Sequence, residues 1–121
     1  MSLEKFTDLQ VWQEAHRLVL QVYAITKKYP DDERFGLVSQ MRRAAISIPA
    51  NIAEGFKRRG IQEKIRFYNI SEGSLEELKY FFIVSKDLGY ISANTNEMTC
   101  AETIGRLLNG LIVSTENRKQ P

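Results

Sequence analysis

Apolar residues recur at intervals of three and four along four stretches of the chain, and no stretch alternates with the period of two that a half-buried strand needs. The first stripe runs through Val11, Trp12, Ala15, Leu18, Val19, Val22, Tyr23 and Ile25, wide enough to pack against two neighbours. Thr7 and Gln10 have the spacing of a capping box, and Phe6 and Val11 that of a hydrophobic staple. A helix is therefore predicted over about 8–28, stopped by Lys27-Lys28-Tyr29-Pro30. The second stripe, Leu37, Val38, Met41, Ala44, Ala45, Ile48, Ile52 and Phe56, predicts a helix over about 35–57. Pro49 lies inside it, removes one donor and frees the carbonyl of Ala45, so a kink is expected there rather than two helices. A third helix over about 62–88 carries Phe67, Ile70, Ser71, Ser74, Leu75, Leu78, Phe81, Phe82, Ser85 and Leu88 on its core arc. Gly89 is its natural C-cap, and Ser71, Gly73 and Ser74 form a small-residue patch that lets a neighbouring helix approach. The fourth, over about 94–116, opens on Asn94 and Glu97 in capping-box spacing and continues through Met98, Ala101, Ile104, Leu107, Leu108, Leu111 and Ile112. Residues from Asn117 to Pro121 should fray. Four amphipathic helices with short connections predict an all-α, antiparallel up-down four-helix bundle, with residues 1–121 as one domain.

One face of the second helix does not fit a monomer. Ile46, Ala50 and Ala53 point away from the core, interleaved with Arg42, Arg43 and Lys57, where an outer face would normally carry glutamates and lysines. Small apolar residues there suggest a contact with another subunit. With 43% hydrophobic and 26% charged residues, the 121-residue chain buries a sizeable core without disulfide or metal. No apolar run approaches the ~20 residues of a membrane span, and Glu4, Lys5, Thr7 and Asp8 interrupt any signal-peptide core. The single cysteine, Cys100, fits a reducing compartment, so a cytoplasmic protein is expected.

Net charge is only +2, but it is unevenly spread. Between Arg34 and Arg66 eight basic residues face two acids, a net +6, while the rest of the chain carries −4. Such a segment reads as an anion-binding patch, suited to phosphates along nucleic acid. The residues that would make it are Arg42, Arg43, Lys57, Arg58, Arg59, Lys64 and Arg66. Catalytic constellations are missing: His16 is the only histidine, Cys100 has no Cys-x-x-Cys companion, and Gly55 to Gly60 lacks the lysine pattern of a phosphate-binding loop. No enzyme, metal or cofactor is expected.

The motifs add a more specific indication. Phe6-x-x-Leu9-x-Val11-Trp12-Gln13-x-Ala15 opens the chain. Gln40-Met41-Arg42-Arg43-Ala44-Ala45-x-Ser47-Ile48-Pro49-Ala50-Asn51-Ile52-Ala53-Glu54-Gly55 follows, then Gly73-Ser74-Leu75-x-Glu77-Leu78 and Leu88-Gly89-Tyr90-Ile91. Up to about Ile112 the chain resembles the four-helix-bundle proteins encoded in intervening sequences of bacterial 23S ribosomal RNA genes. The resemblance implies a homopentamer. It also implies kinship with the accessory variability protein of diversity-generating retroelements, whose basic surface binds nucleic acid and whose partner is a reverse transcriptase. By position, Arg42 and Arg43 match the family's paired arginines, while Pro49, Asn51 and Glu54 match signature positions with a structural role. The expected function is a non-catalytic homo-oligomer that binds RNA or DNA, mainly through phosphates and with weak sequence specificity. An oligomeric adaptor that docks an acidic protein or a reverse transcriptase uses the same charges. In a third arrangement the arginines of the second helix are buried between subunits against acids such as Glu54.

Overall fold

The computed structural model describes residues 4–93 and 95–118. Four α-helices account for most of the chain: α1 (Gln10–Thr26), α2 (Leu37–Lys57), α3 (Ile61–Asp87) and α4 (Glu97–Asn117), with no strand among the described residues. Consecutive helices pack side by side, α4 closes back on α1, and the diagonal pairs stay apart. This is the four-cornered, up-down bundle that the periodicity predicts. Its axis is filled by Ala15, Leu18, Val22, Met41, Ala45, Ile48, Ile52, Leu75, Leu78, Ile104 and Leu108, all buried.

α2 and α3 approach each other most closely along their length, and the reason is visible in their side chains. Ser47 and Ser74 share a 2.7 Å hydrogen bond between hydroxyls. Asn51 Nδ2 donates to the Ser47 carbonyl at 2.8 Å and to its hydroxyl at 3.0 Å. Ser71, fully buried, donates to the Ile48 carbonyl at 2.8 Å. Small polar residues thus replace the bulky contacts that would hold two helices further apart. At the lower end of this seam Gly55 lies under the ring of Tyr68, where a Cβ would come within 2.6 Å of Cε1. α2 runs through the buried Pro49 as one continuous helix.

The helix ends differ from expectation in instructive ways. Thr7 does not cap α1. Residues Phe6–Asp8 form a short 3-10 turn, with the Asp8 carboxylate accepting from the Lys5 amide at 3.1 Å, and Leu9 becomes the N-cap. A competing acceptor one residue beyond Thr7 therefore captures the local donors, and Phe6 meets Trp12 edge-on at 5.2 Å. Asn94, the expected cap of α4, lies outside the described residues; Asn96 precedes the helix, its side chain accepting a 3.0 Å bond from Gln21 rather than capping. Gly89 behaves as predicted. It takes φ +81°, the Tyr90 amide reaches back to Ser85 O at 2.8 Å, and its own amide reaches Lys86 O at 3.0 Å, a complete Schellman closure of α3.

α3 departs most from its predicted face. Ile70 and Leu88 are exposed, whereas Tyr68 is buried to 2%. The helix is long, its apolar positions cover much of its circumference, and the Gly55 notch in α2 decides that Tyr68 goes inward. Trp12 is only half-buried, stacked on the exposed His16 at 5.1 Å.

Candidate nucleic-acid interface

The seven cations singled out in the sequence separate into three environments. Arg42 is half-buried against α1, its Nε donating to Thr26 Oγ1 at 3.0 Å and its guanidinium lying 4.5 Å from the centre of the Tyr23 ring. Lys64 folds back over the end of α2, donating to the carbonyls of Phe56 at 2.7 Å and Gly55 at 3.3 Å. A cation there meets the negative end of the helix dipole and satisfies two of the last carbonyls. Burial, with the charge of Arg118 adding, holds its pKa below the ordinary lysine value.

The other five are solvent-facing. Lys57 ends α2, Arg58 and Arg59 form the turn, and Gly60 caps α3, so three consecutive exposed cations occupy one corner of the bundle. Phe67, on the second turn of α3, sits between two guanidiniums: Arg58 at 4.7 Å from the ring centre and Arg66 at 5.6 Å. Each is also paired with an exposed carboxylate, Arg58 with Glu54 at 3.0 Å and Arg66 with Glu63 at 3.6 Å. Exposed pairs of this kind contribute little and exchange readily for a stronger anion. Periodicity alone puts Phe67 on the core arc; the signal that marks it is its position beside Arg66 and eight residues after Arg59. Arg43 is exposed on α2, apart from this corner.

Glu54 meets Arg58 rather than the arginines of the middle of α2, and Arg42 is satisfied within its own chain. Ile46, Ala50 and Ala53 do point away from the core, and with Phe6, Trp12, His16, Val19 and Pro49 they line an apolar groove between α1 and α2. Arg43, Ile46, Ala50, Ala53 and Lys57 follow one another at alternating steps of three and four, so the apolar stripe has a cation at either end.

Among the described residues no helix is long and apolar enough to cross a membrane, and no group of three or more His, Cys, Asp or Glu stands together as a metal site. Cys100 is a free thiol, half-buried on α4.

A four-helix bundle with this seam and corner has known relatives. Residues 7–110 match the family described as 23S rRNA-intervening sequence protein. The chain belongs to that family. Among solved structures it is similar to a protein of unknown function from the S23 ribosomal protein family of Bacteroides thetaiotaomicron, with a TM-score of 0.78. That likeness is at 21% identity over 84% of this chain and 97% of the other, and it establishes the fold. No curated protein matches the chain.

Proposed function

We propose that the protein is a non-catalytic, homo-oligomeric nucleic-acid-binding protein of the 23S rRNA intervening-sequence type. The observation that carries this reading is the corner where Arg58 and Arg66 flank Phe67 beside Lys57 and Arg59. Guanidiniums held against an aromatic ring keep their outward N–H groups available to phosphate oxygens, and the ring offers a face or edge to a base. The sequence carries no base-reading motif, and exposed cations of this kind meet phosphates first, so backbone contacts dominate and sequence preference is weak. Arg43 extends the phosphate-binding surface along α2, while Arg42 and Lys64 support it from within the fold.

Self-association rests on the α1–α2 groove. An apolar trough containing Ile46, Ala50 and Ala53 is a surface that a second copy of the same chain would cover, and the pentamer implied by the family resemblance would multiply the cationic corner fivefold. The decisive experiment is fluorescence anisotropy of a labelled structured RNA across a salt series. Each phosphate contact contributes about −0.9 to the log–log slope on duplex DNA and about −0.7 on single strands, so an oligomer should lose affinity steeply as salt rises. The double variant Arg58→Glu/Arg59→Glu should abolish that binding while leaving the helical circular-dichroism signal intact. Unchanged affinity in this variant refutes the reading.

A further inference from the structure

The end of the bundle where α1 begins and α4 finishes holds a cavity of about 610 Å³ that shares Lys64, among the seven cations, with the interface above. Two cations, Lys64 and Arg118, line it, and none of its lining residues is an aspartate or glutamate. Lys64 has two hydrogen bonds to the last carbonyls of α2, which leaves one of its three N–H groups for a further acceptor. The charge of Arg118 reaches both neighbours: it adds to the burial that lowers the pKa of Lys64, and it opposes the burial that raises that of Tyr68. Two like charges therefore face one space whose described lining carries no carboxylate.

Tyr68 adds a donor. The residue is 2% exposed, its ring is fixed against Gly55, and it lines the cavity. Its hydroxyl makes no hydrogen bond with any described residue and is not sealed in the core, so it is free to donate to a group in the cavity. A third contribution comes from α1. Leu9 at its N-cap supplies no side-chain acceptor, and Gln10 and Val11, whose amides head the helix, form part of the wall. Unpaired first-turn amides favour a negative group. The remaining wall is apolar, with Phe56 and Leu107 on it, and the volume exceeds what a bare phosphate fills.

We propose that this cavity binds a phosphomonoester, its phosphate held by Lys64, Arg118 and the Tyr68 hydroxyl and its organic body resting on Phe56 and Leu107. Two sources present that chemistry: a free nucleotide, or the phosphorylated end of a nucleic-acid strand. Only the second rests on the proposed nucleic-acid function.

The test uses the full-length protein and adenosine monophosphate, followed by amide NMR, with adenosine as control. Saturable shifts at Gln10, Val11, Lys64 and Tyr68 are expected with the monophosphate and not with adenosine. Tyr68→Phe and Arg118→Gln should each weaken binding roughly tenfold, the usual cost of losing a hydrogen bond to a charged group. Both leave the bonds of Lys64 to α2 in place, so a folded, non-binding variant is the expected outcome. Absence of shifts, equal shifts with adenosine, or undiminished affinity in both variants overturns the proposal. In parallel, anisotropy compares a terminally phosphorylated RNA with its unphosphorylated twin. A preference for the phosphorylated strand that Arg118→Gln removes assigns the site to strand ends; binding of the monophosphate without that preference assigns it to a free nucleotide. RNA binding that persists while the monophosphate fails to bind refutes the cavity alone. Monophosphate binding without RNA binding refutes the nucleic-acid function alone.

Discussion

The hydroxyl of Ser71 donates a 2.8 Å hydrogen bond to the carbonyl oxygen of Ile48, the residue immediately before Pro49. It ties the middle of α3 to α2 at a point where both residues are buried, and it fits only because Ser71 is small. Ser71→Ala keeps the size and removes the bond, so urea unfolding should report a loss of about 1 kcal/mol. Ser71→Leu should cost more, because the added volume has nowhere to go without parting the helices. Equal stability of wild type and both variants would contradict the close-seam interpretation.

Two glycines should respond to alanine in opposite directions. At Gly55 the new methyl would meet Tyr68 Cε1 at 2.6 Å and the Lys64 carbonyl at 3.1 Å. The clash outweighs the helix-propensity gain, for a net loss of about 1–3 kcal/mol. At Gly110 nothing lies within 4 Å, and the same substitution should stabilise by up to about 1 kcal/mol. Thermal denaturation of the pair is an internal control, since both changes are chemically identical.

Arg42 should behave as a structural residue. Replacing it with methionine removes the bond to Thr26 and the stacking on Tyr23, and about 1–2 kcal/mol of stability should go with them. Arg43→Met should leave the unfolding midpoint unchanged and weaken RNA binding. Reversal of that pattern would move the cationic surface toward α1.

Alkaline pH should destabilise the protein. Burial raises the pKa of Tyr29 and Tyr68, and the hydrogen bond from the Tyr90 hydroxyl to the Glu33 carboxylate, 2.9 Å long, raises that of Tyr90. The folded form therefore keeps these protons more tightly than the unfolded chain, whose phenols titrate near ~10. Their contribution is complete below that value and is lost as pH climbs through the folded-state values. Unfolding midpoints taken from neutral pH to about 11 should decline on the alkaline side, and Tyr90→Phe should remove part of the decline. A flat profile would show that these phenols are not held in the folded state as described.

The proposed self-association through the α1–α2 groove can be tested without touching the core. Ala50 is exposed, so Ala50→Glu adds a carboxylate to the trough while the bundle interior is unaltered. Sedimentation velocity should show the oligomer replaced by a folded monomer. Persistence of the oligomer would place its interface on another face.

The bundle was legible in the sequence because the helices obey one period and the turns carry unambiguous punctuation, Pro30 and Gly89 above all. Direction was legible too: Ile46 and Ala50 point outward as their spacing requires. What periodicity could not decide was which of two adjacent aromatics, Phe67 or Tyr68, enters the core. Both fit a wide stripe, and the choice depends on a notch at Gly55 in another helix. The arginines posed the same difficulty. Nothing local distinguishes Arg42 from Arg43; the difference is that Tyr23 and Thr26 wait across the groove for the first. Likewise the start of α1 turned on whether Asp8 or Thr7 would take the free amides, a competition between neighbours that spacing rules treat as equal.

Leu9 at the head of α1 and Arg118 at the foot of α4 share one cavity wall, with Lys64 between them and the α2–α3 turn close by. A bulky group attached beside Leu9 or Arg118 therefore overhangs the cationic corner and the proposed anion cavity together. A circular permutant avoids this. Linking the start of α1 to the end of α4 and opening the chain between α3 and α4, near Ser92 and Ala93, places the new ends at the opposite pole of the bundle, leaving the cavity end unobstructed for surface immobilisation or single-molecule tethering.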